Sequence, residues 1–162
     1  IVVCILDRPR HIDLIKKIRS IGARIKLIHD GDVSAVIATS IEDSGVDIYM
    51  GTGGSPEGVL AAAALRCIGG KIYGKLIFEN EEQIERSKSM GISDSKKFYN
   101  TNDLASGNVM FSATGVTDGT LLKGVLIKNE IATTHSVVMR SKTQTIRYVS
   151  ASHDLKIKKI IR

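Results

Sequence analysis

The chain has 162 residues, of which 43% are hydrophobic and 25% are charged, and its formal net charge at pH 7 is +6. This length and composition suit one globular domain with a buried core and exclude a disordered chain. No apolar run approaches the roughly 18 to 20 residues that span a bilayer, so we expect no membrane partner. The chain has no tryptophan, few aromatics and no DNA- or RNA-binding motif. The positive charge is therefore interpreted as attraction for a small polyanion, and no nucleic-acid partner is expected.

The two cysteines, Cys4 and Cys67, both lie in apolar runs. Two cysteines form neither a disulfide framework nor a metal-binding spacing. We therefore predict buried free thiols, which are typical of a reducing compartment, and expect a cytoplasmic protein. The chain starts with isoleucine inside a predicted strand, and no signal peptide is visible. It is accordingly interpreted as a fragment or a processed product that lacks an N-terminal portion.

The first third of the chain alternates between strand and helix patterns. Compact apolar runs predict strands, and apolar residues at helical spacing predict helices. The predicted strands cover residues 1–6, 24–28 and 46–50, and the predicted helices cover residues 12–21 and 33–41. This alternation predicts an α/β protein in which a parallel sheet with right-handed crossovers is flanked by helices.

A polar cluster follows each of these three predicted strands. The clusters are Arg8-Pro9-Arg10, Asp30-Gly31-Asp32 and the glycine loop from Gly51 to Gly58. In open parallel sheets, ligands bind at the edge where the carboxyl ends of the strands meet. Because all three clusters fall at that edge, we predict that they converge on one ligand pocket.

The glycine loop has the pattern of a strand-to-helix turn. Four glycines in eight residues permit positive φ and close approach of the backbone to a ligand. Ser55 is predicted to cap the next helix, Pro56 to be its first residue, and Glu57 to lie in its first turn. A carboxylate there can hold a metal ion, and the free N–H groups can receive phosphate oxygens. The loop lacks the Lys-Ser/Thr of a Walker A motif, and Pro56 replaces a glycine of the dinucleotide-binding pattern.

Each cluster also has a purely structural alternative. Glu57 can simply complement the helix dipole, and Asp30 and Asp32 can simply cap the second helix. Arg8 and Arg10 can simply be solvated at a helix start. Positive charge is unfavourable there, which mildly favours an anion-binding role because arginine binds phosphate through two nitrogens.

Two histidines stand beside the clusters. His11 falls in the first turn of a predicted helix, and His29 falls at the end of a predicted strand. Single histidines in such positions are more often structural than catalytic. We therefore interpret both as structural.

The second half of the chain is predicted to be mainly antiparallel. A weak strand pattern covers residues 71–78, a charged helix covers 79–90, and a mobile surface segment covers 93–102. Further strands are predicted at residues 108–113, 121–128, 131–140 and 143–150. The joints Asn129-Glu130 and Ser141-Lys142 are of hairpin length, which predicts an antiparallel β meander.

Five segments in order resemble the C-terminal half of class II fructose-1,6-bisphosphatases, the metal-dependent bacterial type. They are Asp7-Arg8-Pro9-Arg10-His11, Asp30-Gly31-Asp32, Gly51 to Gly58, Phe111-Ser112-Ala113-Thr114-Gly115 and Ile131-Ala132-Thr133-Thr134. Each segment is short, but the ordered set covers nearly the whole chain and is specific.

The resemblance implies a fold and an activity. The fold would be half of the layered α/β/α/β/α arrangement of the inositol-monophosphatase group, with residues 1–162 as the C-terminal substrate-binding domain. The activity would be hydrolysis of the 1-phosphate of fructose 1,6-bisphosphate in gluconeogenesis, using Mn²⁺ or Mg²⁺. The implied partners are the sugar bisphosphate, the missing N-terminal metal-binding half and further copies in a homo-oligomer.

The resemblance also assigns roles to residues of this chain. Arg8, Pro9 and Arg10 would contact the substrate, and Asp30, Gly31, Asp32 and Gly54 would contact its hydroxyls or phosphate. Glu57 would be a metal ligand, and no catalytic residue is assigned in this half. Because one carboxylate does not make a metal site, the isolated chain is expected to be inactive.

Three alternatives stay open. The substrate can be sedoheptulose 1,7-bisphosphate, since the sequence does not separate the two sugars. The chain can instead be a non-catalytic domain that binds a phosphorylated sugar or a regulatory anion. A basic nucleic-acid module is the weakest alternative and would require salt-sensitive oligonucleotide binding.

Overall fold

The structure, a computed structural model, describes residues 1–158. The last four residues of the predicted domain, 159–162, lie outside the described part. The first part of the chain contains β1 (Val2–Leu6), α1 (Ile12–Ser20), β2 (Arg24–Ile28), α2 (Asp32–Ala38), β3 (Ile48–Tyr49) and α3 (Ser55–Ile68). A short 3₁₀ turn, Pro9–His11, joins β1 to α1.

The second part contains more and shorter elements. They are β4 (Tyr73–Lys75), α4 (Glu81–Ser89), β5 (Phe98–Asn100), α5 (Thr101–Leu104), β6 (Met110–Thr114), β7 (Leu126–Lys128), β8 (Ile131–Arg140) and β9 (Thr145–Asp154). Residues 1–158 thus form a mixed α/β structure with one parallel and two antiparallel sheets.

The predicted parallel sheet is confirmed, with β1 between β2 and β3. β1 pairs with β2 along its whole length, from Val2 opposite Arg24 to Leu6 opposite Ile28. β3 covers Ile48 and Tyr49 and is shorter than the predicted 46–50. The N–H groups of Asp47 and Met50, which flank it, still donate to carbonyls of β1. The carboxylate of Asp47 accepts a hydrogen bond from the backbone N–H of Val2 at 2.7 Å. A side chain thus takes a ladder position that the backbone would fill in a longer strand.

The ends of α2 and α3 differ from the sequence prediction by a few residues. α2 ends at Ala38 and not near residue 41, because the N–H groups of residues 39–41 bond to carbonyls three residues back instead of four. The prediction that Ser55 caps α3 is wrong: Gly54 is the N-cap residue, and no side chain caps this end. Pro56 is therefore the second helical residue, where its missing N–H still costs nothing.

The antiparallel sheet is built on β8. β9 pairs with all of β8 on one side, from Ile131 opposite Asp154 to Arg140 opposite Thr145. β6 and β7 share the other side of β8. The sheet is therefore a meander through β7, β8 and β9 with β6 added, since β6 does not pair with β7 as a simple meander requires.

The two hairpin joints differ in length. Asn129 and Glu130 both have positive φ, 50° and 61°, which matches the two-residue turn that the sequence predicts. The joint between β8 and β9 has four residues, 141–144, and is longer than the predicted Ser141-Lys142.

The segment 93–102, predicted to be a mobile surface segment, lies mostly at the surface, and its second half contains regular structure. β5 pairs with β4, with Phe98 opposite Lys75. Asn100 then caps α5 through a capping box with Asp103, so both residues satisfy backbone N–H groups at the helix start. Asn100 is thus one polar residue of this segment that serves helix capping.

Helix α3 connects the core to the antiparallel sheet. Ala64 and Cys67 pack against Phe111, Val137 and Met139 of that sheet. The small alanine side chains let the helix lie close to the strands. Both cysteines are buried free thiols, as predicted, and burial raises the pKa of each. Within residues 1–158, no helix combines the length and apolarity needed to cross a bilayer.

Candidate functional site at the edge of the parallel sheet

The carboxyl ends of β1, β2 and β3 lie at one edge of the parallel sheet, because the three strands run in the same direction. The predicted polar clusters follow these ends directly. The loop from Gly51 to Gly54 crosses this edge and leads into α3. All four of its residues are exposed, so the site is a shallow and open surface.

Arg10 reaches this loop from the turn after β1. Its Nε donates a hydrogen bond to the carbonyl oxygen of Thr52 at 2.8 Å. The guanidinium makes no other hydrogen bond to the described residues, and the side chain is exposed. Its terminal nitrogens therefore face solvent and can bind an anion.

Arg8 is engaged differently, although it is only two residues away. One terminal nitrogen donates to the carbonyl of His29 at 2.6 Å and the other to the carbonyl of Asp7 at 3.0 Å. The side chain thus ties the end of β1 to the end of β2. Of the two arginines, Arg10 has more free donors for a ligand.

The acidic cluster stands at the start of α2. Gly31 is the N-cap residue and has a φ of +81°, a left-handed conformation that suits glycine. Asp30 accepts from the N–H of Gly31 at 2.7 Å, and Asp32 accepts through Oδ1 from the N–H of Val33 at 2.9 Å. The second oxygen of Asp32 points to the glycine loop, since a Cβ placed on Gly53 would lie 3.5 Å from Oδ2. Asp32 therefore serves the helix with one oxygen and faces the loop with the other.

Glu57 lies in the first turn of α3 and folds back over Gly54. A Cβ placed on Gly54 would collide with the Glu57 carboxylate, so only glycine leaves this space to Glu57. The carboxylate does not cap the helix, because no side-chain cap hydrogen bond is present there. It is exposed and available to a ligand beside the helix N-terminus.

These contacts bring the three predicted clusters together. Arg10, Asp32 and Glu57 lie against consecutive loop residues, Thr52, Gly53 and Gly54. Pro9 and Gly31 lie in the turns that present Arg10 and Asp32. Whether these groups contact a substrate stays a prediction that the contacts alone do not test.

Two further residues, His11 and Tyr49, contact the glycine loop, which the sequence analysis did not predict. His11 is 1% exposed and its ring bonds to both β1 and the glycine loop. Tyr49 ends β3, and its hydroxyl would lie 3.5 Å from a Cβ placed on Gly51. The sequence contained one indication of this contact, because Tyr49 is a polar residue in an apolar strand, two residues before the loop.

Charged groups of the site also act on the hydroxyl of Tyr49. Burial raises the pKa of its hydroxyl to about 12, the negative charge of Asp32 adds to this, and Arg10 opposes it. The phenol is thus neutral at physiological pH and keeps its proton as a hydrogen-bond donor.

The described residues do not form a complete metal centre, and Glu57 is the carboxylate that they offer to a metal ion. Within residues 1–158, no group of three or more His, Cys, Asp or Glu side chains could hold an ion. Mg²⁺ and Mn²⁺ take about six oxygen ligands, so Glu57 fits only as one member of a larger set. Arginine, carboxylate and free helix N–H groups together suit a small phosphorylated ligand.

The fold and this edge define the chain as an α/β protein with a candidate anion site at the carboxyl ends of parallel strands. A family model described as bacterial fructose-1,6-bisphosphatase, glpX-encoded, matches residues 1–153. The chain belongs to this family.

Curated relatives agree with that assignment. The chain is 43% identical over 166 residues to a protein of Crocosphaera subtropica and to one of Trichodesmium erythraeum, in each case with 94% of this chain and 48% of the relative covered. A relative from Synechocystis is 41% identical over 175 residues, with 100% of this chain and 51% of the relative covered. All three are named D-fructose 1,6-bisphosphatase class 2/sedoheptulose 1,7-bisphosphatase. The chain spans about half the length of these relatives.

Proposed function

We propose that this chain is the substrate-binding part of a metal-dependent phosphatase that hydrolyses the 1-phosphate of fructose 1,6-bisphosphate to give fructose 6-phosphate. The observation that carries the proposal is the meeting of Arg10, Asp32 and Glu57 on three consecutive residues of the glycine loop. A cation, a hydroxyl-binding carboxylate and a further carboxylate at one edge match what a phosphorylated sugar presents. Family membership supports the same assignment.

The residues take distinct roles in this proposal. The terminal nitrogens of Arg10 bind a phosphate group, while Arg8 holds the ends of β1 and β2 in place with donors already used by backbone carbonyls. Asp32 accepts a sugar hydroxyl through Oδ2, the oxygen that its helix leaves free. Gly54 keeps the space in which the Glu57 carboxylate lies.

Glu57 would hold Mn²⁺ or Mg²⁺ together with ligands from outside the described residues. When bound, such an ion neutralises phosphate charge and activates water for attack on a phosphate monoester. The chain's own contribution is to bind and orient the sugar bisphosphate. The remaining ligands belong to an N-terminal half, which the length of the relatives supports, and the chain alone is expected to be inactive.

The same proposal extends to the architecture and setting of the enzyme. Complete, it would have the layered α/β/α/β/α arrangement, in which this chain supplies the parallel sheet and the sheet built on β8. It would be a cytoplasmic enzyme of gluconeogenesis, assembled as a homo-oligomer. The mixed parallel and antiparallel sheets are compatible with this architecture.

Titration calorimetry of the chain with fructose 1,6-bisphosphate tests the binding role. Arg10→Ala is expected to weaken binding at least about tenfold, since it removes a charge-assisted contact to phosphate. Arg147→Ala, on β9, is the matched control and is expected to leave the affinity unchanged. Equal affinities for all three proteins would refute the placement of the phosphate at Arg10.

Phosphate release by the complete gene product with Mn²⁺ tests the metal role. Glu57→Gln keeps the size of the side chain and removes its charge. The rate is expected to fall strongly, because a neutral amide is a poor ligand for a hard cation. An unchanged rate would show that Glu57 is not a metal ligand.

Sedoheptulose 1,7-bisphosphate is a second candidate substrate, favoured by the double name of the relatives. Comparison of kcat/KM for the two bisphosphates in the same assay decides between one preferred sugar and a dual enzyme. A chain that binds either sugar but whose complete gene product releases no phosphate would be a non-catalytic sugar-phosphate-binding protein.

A further inference from the structure

The imidazole of His11 forms a bridge between β1 and the glycine loop. Nδ1 lies 2.8 Å from the carbonyl oxygen of Leu6, the last residue of β1. Nε2 accepts a hydrogen bond from the backbone N–H of Thr52 at 2.8 Å. The ring is 1% exposed, so water does not replace either bond.

The two partners define the proton position on the ring. Because the Thr52 N–H can only donate, Nε2 must be the unprotonated nitrogen. The proton is then on Nδ1, which donates to the Leu6 carbonyl. His11 is therefore neutral and held in a single tautomer by two backbone groups.

Thr52 is held from both sides as a result. Its N–H donates to the buried His11, and its carbonyl accepts from the exposed Arg10. His11 and Arg10 are neighbours in the turn after β1, so one short segment fixes Thr52. Gly53 and Gly54 come directly after it in the loop. Those two glycines adjoin Asp32 and Glu57.

We propose that His11 is a positioning residue: its Nε2 fixes the Thr52 peptide and so sets the placement of the glycine loop among Arg10, Asp32 and Glu57. The expected effect of His11 on substrate binding rests on the proposed function, whereas its effect on the loop does not. His11 touches no substrate itself and acts through Thr52. Glycine-rich backbone has wide conformational freedom, so a fixed peptide within it has a large effect on geometry.

A pair of substitutions separates this role from simple support of the core. In His11→Gln, the side-chain carbonyl can accept from the Thr52 N–H while the bond to Leu6 is lost. In His11→Asn, the side-chain amide can donate to the Leu6 carbonyl while the bond to Thr52 is lost. Each variant leaves one backbone group without its His11 partner, so both are expected to lose stability. Because Leu6 is buried and Thr52 is exposed, His11→Gln is expected to lose at least as much as His11→Asn.

Two measurements follow the loop and the ligand separately. Amide hydrogen exchange of Thr52 is expected to be slow in the wild type and in His11→Gln, and fast in His11→Asn. Calorimetry with fructose 1,6-bisphosphate is expected to show about tenfold weaker binding for His11→Asn and nearly wild-type binding for His11→Gln. The ring ¹⁵N spectrum of the wild type is expected to show the Nδ1–H tautomer.

If Thr52 exchange and ligand affinity change equally in both variants, the proposal is wrong. His11 would then only stabilise the core and would not position the loop. If the wild type binds no sugar bisphosphate, the proposed function fails, and the Thr52 exchange pattern alone decides whether His11 positions the loop. If either variant does not fold, Gly51→Ala provides a test from the loop side, since its Cβ would lie 3.2 Å from Cε1 of His11. That variant is expected to accelerate Thr52 exchange, and unchanged exchange would count against the proposal.

Discussion

The edge of the parallel sheet and the sheet built on β8 are held by different forces. At the edge, side chains bond to backbone groups over long sequence distances, as Arg10 and His11 do to Thr52. In the sheet built on β8, buried apolar side chains such as Val137 and Met139 pack against α3. Polar contacts of this kind specify geometry, whereas apolar burial supplies most of the free energy of folding.

Helix α3 belongs to both regions. Its first turn carries Glu57 at the sheet edge, and its body buries Ala64 and Cys67 against the strands. Because the two regions are held by different interactions, ligand affinity and the free energy of unfolding should be separable by mutation. Changes at exposed residues of the edge should mainly alter ligand binding, and changes beneath α3 should mainly alter stability.

The largest effect is expected for Met139→Ala. Met139 is 2% exposed, so its truncation removes buried apolar surface and leaves a cavity beneath α3. The free energy of unfolding is expected to fall by about 2–5 kcal/mol, as measured by denaturant titration. Met110→Ala is the matched control, because Met110 is 67% exposed on the neighbouring strand. A large loss of stability in the control, or a changed ligand affinity of folded Met139→Ala, would contradict the separation.

Gly54→Ala should act mainly on the site. The added Cβ meets the Glu57 carboxylate, which must move away from the N-cap of α3. Phosphate release by the complete gene product is expected to fall about 10- to 100-fold, the range for displaced support of a metal ligand. In Gly58→Ala, the Cβ enters open space within α3, and a small gain in stability with an unchanged rate is expected. Similar rates for the two variants would argue against the crowding at Gly54.

Tyr49 gives a pH-dependent test of the sheet edge. Because burial first and Asp32 second raise its pKa from 10.0 to about 12, the folded protein keeps this proton while the unfolded chain loses it. The contribution of Tyr49 to stability is therefore complete below pH 10 and is lost as the pH rises to about 12. Absorbance titration should show one tyrosine ionising near pH 12, absent in Tyr49→Phe and shifted downward in Asp32→Asn. An unshifted transition in Asp32→Asn would place Asp32 too far away to act on Tyr49.

The smallest effect is expected in thiol reactivity, which reports on both regions. Cys4 lies in β1 and Cys67 in α3, and burial raises the pKa of both thiols, so neither should react with a thiol reagent in the folded protein. Met139→Ala should accelerate modification of Cys67 more than of Cys4, as single-cysteine variants would show. Equal acceleration would mean that the two regions open together.

Local sequence patterns predicted the elements that depend on local chemistry. β2 and β8 have the predicted bounds, since each is a continuous strand pattern between clear turn signals. The order of the polar clusters at one edge also followed from the alternation of strands and helices. Parallel strands place their carboxyl ends together whatever the detailed packing.

What the sequence did not reveal depends on long-range contacts. The role of His11 requires a partner 41 residues away, and no local periodicity records that pairing. The bond from the Val2 N–H to the Asp47 carboxylate, beside the start of β3, likewise joins residues 45 positions apart. Asp32 likewise resembles an ordinary helix-start residue until the loop carrying Gly53 is placed beside it.

The hold on Thr52 has a consequence for the thermodynamics of ligand capture. Glycine-rich loops lose more conformational entropy on ordering than other backbone does, and a ligand that orders such a loop binds less tightly for that reason. Here His11 and Arg10 impose the order during folding, before any ligand arrives. Binding at this edge should therefore show a small entropic penalty and an association rate set by diffusion and charge, with no slow loop-closing phase.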